Sequence, residues 1–124
     1  MEQRASRPEF NLLGVGEDAE VETNSAGSSS SIAAGRFDLL PPLALQAVAM
    51  NLQYGAKKYG EWNWVLRTPE DHINHSLIHT YAYLASDNTD AKLDDFSPRL
   101  NHLIAAVTRA LMALEVELHR TQEL

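Results

Sequence analysis

The residues of this sequence best suited to chemistry are histidines that recur at short spacing. Three of the five, His72, His75 and His79, share one face of a predicted helix with Tyr83 when successive residues are set about 100° apart. The i, i+4 spacing of His75 and His79 lets two imidazoles reach one metal ion or phosphate group. A solvated polar face, or histidines hydrogen-bonded at an interface, would show the same pattern.

An acidic segment follows this helix, with Asp87, Asp90, Asp94 and Asp95 supplying four carboxylates within nine residues. These charges repel one another unless water or a cation neutralises them, and Mg²⁺ or Mn²⁺ with oxygen ligands would do so. The segment lacks the glycine and the final glutamate of an EF-hand loop. A charged surface turn is the alternative, although His102, one turn into the next predicted helix, is expected to point back toward it.

Aromatic and polar side chains are concentrated in residues 54–64, a stretch that contains both tryptophans and two of the four tyrosines. Aromatic rings can stack on a base while cations meet phosphate. The same aromatic side chains could instead fill one end of a helical bundle. The candidates for substrate contact here are Lys57, Lys58, Trp62, Asn63 and Trp64.

The composition limits the other function classes. Ten Lys and Arg against 17 Asp and Glu give a net charge of −7, which argues against a broad nucleic-acid surface. Zero cysteines exclude thiolate metal sites and Cys nucleophiles. The apolar runs fall well short of the roughly 20 residues that span a bilayer, so we expect no membrane association and a cytoplasmic location. The sequence also lacks a GxSxG elbow, a phosphate-binding GxxxxGK[ST] loop and a His-Asp dipeptide.

Three helices should position these groups. The first is predicted from residue 43 to 54 or 58 after Pro41-Pro42, and it ends near a glycine. Thr68 before Pro69 predicts a second helix to about residue 86, and Ser97 before Pro98 predicts a third to about residue 119. No segment alternates with period 2, so the fold class is all-α, a small helical bundle.

Apolar stripes on the second and third helices are expected to form the core. On the second helix the stripe is Ile73, Leu77, Tyr81 and Leu84. On the third it is Leu100, Leu103, Ile104, Val107, Leu111, Leu114 and Leu118. Ala106 and Ala113 lie opposite the leucines and allow a second close packing seam. Because only about 85 residues can join this core, we expect a homo-oligomer, a dimer or a tetramer, to complete it.

The first 35 residues differ in character from the rest. Residues 22–35 read ETNSAGSSSSIAAG, which buries little apolar surface and predicts a mobile loop. This loop would be either a linker or a lid whose backbone N–H groups close over phosphate. We therefore predict an N-terminal arm and flexible Ser/Gly-rich loop over residues 1–35 and an all-α domain over residues 36–124.

An ordered series of motifs resembles a known enzyme family. The series is GRFDLLPP at 35–42, GAKKYG at 55–60 and Asn63-Trp64, followed by a His-bearing helix, an acidic turn and a further helical His. It resembles the phage MazG-like nucleotide pyrophosphohydrolases, the dATP/dGTP diphosphohydrolase family, over about residues 22–117. The resemblance is closest to the MazZ type, which accompanies the synthesis of 2-aminoadenine genomes. It implies an all-α homo-oligomer, often tetrameric, that uses Mg²⁺ or Mn²⁺ to cleave a purine (d)NTP to the monophosphate and pyrophosphate.

The resemblance also assigns roles to residues. It implies metal binding by His79, Asp87, Asp90, Asp94 or Asp95, and His102, with His79, Asp87 and Asp90 catalytic. Substrate contacts would come from Arg36, Lys57, Lys58, Trp62, Asn63, Trp64 and His75. The EExxE and ExxD metal helices of general MazG enzymes are not intact here.

The resemblance further favours dGTP, then GTP and possibly dATP, with dGMP feeding 2-aminoadenine nucleotide synthesis. The competing hypothesis is a non-catalytic helical oligomer that binds a partner through its His- and Asp-rich face.

Overall fold

The computed structural model describes residues 5–9, 11–90 and 92–122. Two antiparallel strands and three long helices form its regular structure, with short 3₁₀ turns at Phe37–Leu39 and Asn63–Leu66. The strands are β1 (Val21–Thr23) and β2 (Ser29–Ser31), and the helices are α1 (Pro42–Tyr59), α2 (Pro69–Leu84) and α3 (Pro98–Gln122). The strands lie in a compact unit, Glu9–Pro41, and the helices lie in the other unit, which contains Pro42 and the residues after it together with residues 5–8.

The unit Glu9–Pro41 contains a short hairpin, where the sequence predicted a loop without strands. Val21 pairs with Ser31 and Thr23 with Ser29. The side chain of Asn24 accepts hydrogen bonds from the backbone N–H groups of Ala26 and Ser28, each 3.0 Å long. All six strand residues are exposed, so local polar contacts hold the hairpin and apolar burial does not. The described structure is mostly helical, as the all-α prediction has it, and this small two-stranded sheet is the exception.

The helices begin where the sequence signals predicted. Thr68 Oγ1 accepts a hydrogen bond from the N–H of Asp71 at 3.1 Å, and Ser97 Oγ accepts one from Leu100 at 3.2 Å. α1 ends at Tyr59, before Gly60, whose φ of +99° suits a glycine. α2 ends at Leu84, so Asp87 and Asp90 lie in the loop after it and not on a further helical turn.

Small residues bring α2 and α3 close together. Ala106 and Ala113 of α3 are buried, and Ser76 Oγ of α2 donates a 2.7 Å hydrogen bond to the carbonyl oxygen of Ala106. α1 joins α3 through Asn51, whose Nδ2 donates to Thr108 Oγ1 at 3.1 Å. The predicted alanine seam is therefore the one that packs the helices within the chain.

The apolar stripes predicted to form the core are largely exposed in the single chain. Leu77 of α2 is 50% exposed and Leu114 of α3 is 56% exposed. Ile73, Tyr81, Leu84, Leu100, Val107, Leu111 and Leu118 are exposed as well. The prediction of a buried apolar face on α2 is wrong for the isolated chain, because α2 turns its histidine face toward α3 instead. None of the helices described here is both long and apolar enough to cross a bilayer.

Candidate functional site

Two histidines and an aspartate converge between α2, α3 and the loop that joins them. His79 Nδ1 of α2 lies 3.0 Å from His102 Nδ1 of α3. Asp90 Oδ2, from the loop, lies 3.6 Å from His102 Nδ1 and 3.9 Å from His79 Nδ1. Asp90 and His102 are buried. We refer to His79, Asp90 and His102 as the His–Asp cluster.

Asn101, the neighbour of His102, fixes the loop that carries Asp90. Its Nδ2 donates hydrogen bonds to the carbonyl oxygens of Leu93 and Phe96, at 3.0 and 3.2 Å. Its Oδ1 accepts from the N–H of Leu93 at 3.2 Å. One buried amide thus fastens the acidic loop to the first turn of α3, and this holds Asp90 over the two histidines.

The protonation states in the cluster suit metal binding. At an Nδ1–Nδ1 separation of 3.0 Å, at most one of the two nitrogens carries a proton. Burial, with help from the charge of Lys92, lowers the pKa of His79 and favours a neutral ring. Asp87 Oδ1 lies 3.5 Å from His102 Nε2, where it can orient that imidazole. Hydrogen bonds from Thr89 lower the pKa of Asp87 and keep it ionised.

The cluster has the donor set and spacing of a divalent metal site. All three donor atoms lie within 4.8 Å of one another. Two ligand atoms that each lie about 2.1 Å from one ion are roughly 3–4 Å apart, and the separations in the cluster are 3.0, 3.6 and 3.9 Å. Two imidazoles and one carboxylate suit Mn²⁺ or another transition ion better than Mg²⁺, which prefers oxygen ligands.

A cleft of about 730 Å³ opens beside the cluster and is bounded by all three helices. His79 and Lys92 belong to its wall, as do Trp62, Asn63 and Trp64. The two tryptophan rings lie 5.9 Å apart and are tilted by 45°. Such a cleft places aromatic surface for a base in the same space as the histidine side chains.

Three cations that the sequence analysis did not single out, Arg67, Lys92 and Arg109, also line the cleft. Lys92 Nζ lies 3.8 Å from Asp90 Oδ2. Arg109 Nη2 lies 3.5 Å and Arg67 Nη1 3.9 Å from Asp71 Oδ2. In sequence, each of the three has the appearance of an ordinary solvated charge, and only the packing of α2 against α3 brings them to one wall.

The structure brings some of the predicted site residues together and leaves others apart. His79, Asp90 and His102 meet, with Asp87 beside them, and His75, Trp62, Asn63 and Trp64 line the cleft. Asp94 and Asp95 are exposed and lie outside the His–Asp cluster. Lys57 and Lys58 do not line the cleft, and Lys58 Nζ lies 5.1 Å from the ring centre of Tyr59. Arg36 belongs to the other unit, where it pairs with Asp38 at 2.7 Å.

Comparison with known families gives a match over most of the chain. The family model described as dATP/dGTP diphosphohydrolase, N-terminal, matches residues 24–123, most of the chain. Neither the curated proteins nor the solved structures contain a match. The resemblance seen in the sequence is confirmed at the level of this family.

Proposed function

Because the chain belongs to the dATP/dGTP diphosphohydrolase family, we propose that it hydrolyses a purine (d)NTP to the nucleoside monophosphate and pyrophosphate. The observation that carries this proposal is the convergence of His79, Asp90 and His102 beside a cleft that holds both tryptophans. A metal-binding donor set next to an aromatic wall matches the two ends of a nucleotide, a polyphosphate and a base. The family description favours this enzyme over a non-catalytic binding module.

The metal site of the proposal consists of the His–Asp cluster, with Mn²⁺ preferred and Mg²⁺ as the alternative. A divalent ion bound there would supply positive charge to the phosphate oxygens and polarise a water molecule. Asp87 Oδ1 lies 3.5 Å from His102 Nε2, while Asp90 Oδ2 lies 3.6 Å from Nδ1 of the same ring. In this proposal Asp87 pairs with Nε2 and orients the ring so that Nδ1 faces Asp90. Asp87 is also partly exposed and ionised, so it can accept a hydrogen bond from a water molecule near the cluster and orient it.

The proposed substrate contacts come from the wall of the cleft. In this proposal Lys92, 3.8 Å from Asp90, meets the phosphates, and Trp62 and Trp64 stack on the base. Asn63 and His75 supply hydrogen-bonding groups in the same wall. The sequence-based candidates Lys57 and Lys58 do not line this cleft, and a phosphate contact by Arg36 stays a prediction.

The preference for dGTP, with GTP and dATP behind it, is part of the proposal and rests on the resemblance to the MazZ type. In that setting the product dGMP would supply the synthesis of 2-aminoadenine nucleotides in a phage-infected cell.

A homo-oligomer, with a tetramer favoured, is likewise proposed. The support for an oligomer is the exposed apolar surface of α2 and α3, which includes Leu77 and Leu114. Exposure of this surface to water is unfavourable in the isolated chain.

The direct test is product analysis. The purified protein is incubated with each (d)NTP and Mn²⁺ or Mg²⁺, with an EDTA control, and the products are separated by ion exchange. We expect metal-dependent formation of dGMP and pyrophosphate from dGTP. Tripolyphosphate or orthophosphate would indicate a different cut. No turnover by folded, oligomeric protein would overturn the proposal in favour of the non-catalytic module.

A further inference from the structure

One histidine in the wall of the cleft has no part in the reaction proposed above. The His72 side chain is fully buried, and its Nε2 lies 2.9 Å from the main-chain carbonyl oxygen of Trp64. A carbonyl oxygen only accepts hydrogen bonds, so Nε2 carries the proton and donates it. Burial lowers the pKa of His72 and keeps the ring neutral. Nδ1 is therefore a lone-pair acceptor.

Within the described part of the chain, His72 Nδ1 receives no hydrogen bond, and a second buried atom near it, Arg109 Nε, donates none. Both side chains line the cleft, and Arg109 is near enough for its charge to lower the pKa of His72. Buried polar atoms are almost always paired in folded proteins, so two unpaired atoms of opposite sense beside one cleft indicate a ligand.

The chemistry of these two atoms restricts what the ligand can be. A phosphate group in its ionised form has no proton to donate, so it cannot fill His72 Nδ1. The edge of a purine base offers a donor next to an acceptor, N1–H beside O6 in guanine and the 6-amino group beside N1 in adenine. The Trp64 ring, 6.4 Å from the His72 ring between centres, places stacking surface for that base directly alongside.

We propose that His72 Nδ1 and Arg109 Nε–H read the donor and acceptor edge of the purine base that stacks in this cleft. This inference rests on the proposed function, because it names the base-recognition residues of the same site. Both atoms are closed to bulk water in the free protein, so a base reaches them only when side chains of the wall move apart. His72 then acts as a specificity residue and not as a metal ligand.

The test measures binding without turnover. Both tryptophans of the chain line the cleft, so their fluorescence reports occupancy directly. The ligands are deoxynucleoside monophosphates whose base is guanine, hypoxanthine, adenine or unsubstituted purine, which has no N–H group. Wild type is compared with His72→Gln, which retains a donor toward Trp64 but lacks Nδ1, and with His72→Asn, which retains an acceptor near the Nδ1 position. His119→Gln on the far part of α3, where His119 contacts Glu115, is the matched control.

We expect wild type and His119→Gln to bind the hypoxanthine nucleotide about tenfold more tightly than the purine nucleotide, the size of one hydrogen bond. The ratio should fall to near one in His72→Gln and recover in His72→Asn. Arg109→Lys, which keeps the charge but loses Nε–H, should weaken the binding of guanine and hypoxanthine nucleotides.

Equal binding of the two nucleotides by wild type, or an unchanged ratio in His72→Gln, would overturn the inference and assign Nδ1 to a sugar hydroxyl, to water or to Arg109. Base-dependent binding without any hydrolysis would sink the proposed function and leave this inference standing. Hydrolysis with base-independent binding would overturn this inference and leave the proposed function standing.

Discussion

Replacing Asp90 by Asn is the sharpest test of the His–Asp cluster. Asp90 is 8% exposed and supplies the only negative charge among the three donor atoms. Asn has nearly the same shape, so the hydrogen bond that Asp90 Oδ1 accepts from the N–H of Lys92, 3.2 Å long, can persist. The new amide N–H₂ would instead point donors at the lone pairs of the two histidines and compete with the metal.

The expected loss of metal affinity in Asp90→Asn follows from the number of ligands. Loss of a partner outside the first coordination sphere weakens metal binding about 10–100-fold. Loss of one of three direct donors, and the charged one, should cost at least the upper end of that range, which is about 2.7 kcal/mol. The free energy of unfolding without metal should change little, because shape and backbone contacts are retained.

Mn²⁺ binding is followed by the electron paramagnetic resonance signal of the free ion, and pyrophosphate release is followed in parallel. Asp90→Asn should need at least 100-fold more Mn²⁺ for half saturation in both assays. Asp18→Asn, an exposed aspartate in the other unit, is the control. The reasoning is refuted if Asp90→Asn binds Mn²⁺ as tightly as wild type. Weakened binding by Asp94→Asn alone would move the site to the exposed end of the acidic loop.

The remaining predictions concern the surroundings of the cluster, the oligomer and the stability. Asp87→Asn should weaken Mn²⁺ binding about 10–100-fold, because in our proposal Asp87 orients His102 and does not join the cluster itself. The same Mn²⁺ titration checks this prediction. A loss of affinity as large as that of Asp90→Asn would make Asp87 a direct ligand. Leu114→Glu, at a side chain that is 56% exposed, should lower the mass measured by light scattering if copies of the chain pack there; a wild-type monomer would contradict this. Burial lowers the pKa of His72 below its ordinary 6.5, so the unfolded chain binds more protons than the folded chain as the pH falls below about 6.5. The free energy of unfolding should therefore fall there by up to about 1.4 kcal/mol per pH unit. Urea unfolding at pH 7.5 and 5.5 should show a smaller fall for His72→Gln than for wild type, and equal falls would count against the buried neutral ring.

The local features of this fold could be predicted because their causes lie within a few residues. A Thr-Pro or Ser-Pro pair supplies a cap and a first helical residue at once, and both pairs begin helices here. The hairpin was missed since its support comes from the side chain of Asn24 and not from alternating apolar residues. Local polar bonds of this kind leave no periodic pattern to detect.

The candidate site could be predicted only in part, because its geometry depends on packing between distant segments. His79 and His102 could be chosen from helical position and family resemblance. Choosing Asp90 over Asp94 required the position of the acidic loop, which the buried amide of Asn101 determines. Arg109 could not be recognised at all, because a single cation within a helix carries no sign of the cleft that it lines.

On α2 the polar face packs against the chain and the apolar face is exposed, the reverse of the prediction. This arrangement has the same physical origin as the candidate site. A helical wheel separates polar from apolar residues, but it does not say which side meets the rest of its own chain. In α2 the polar side packs inward, since Ser76, His72 and His79 find partners on α3 or on the main chain of residue 64. The apolar side is then left for another surface, which in our proposal is a second copy. In the proposed function, a helix that presents its histidines to its own chain and its leucines to a second copy satisfies both demands, because the polar side then lines the site for a charged nucleotide.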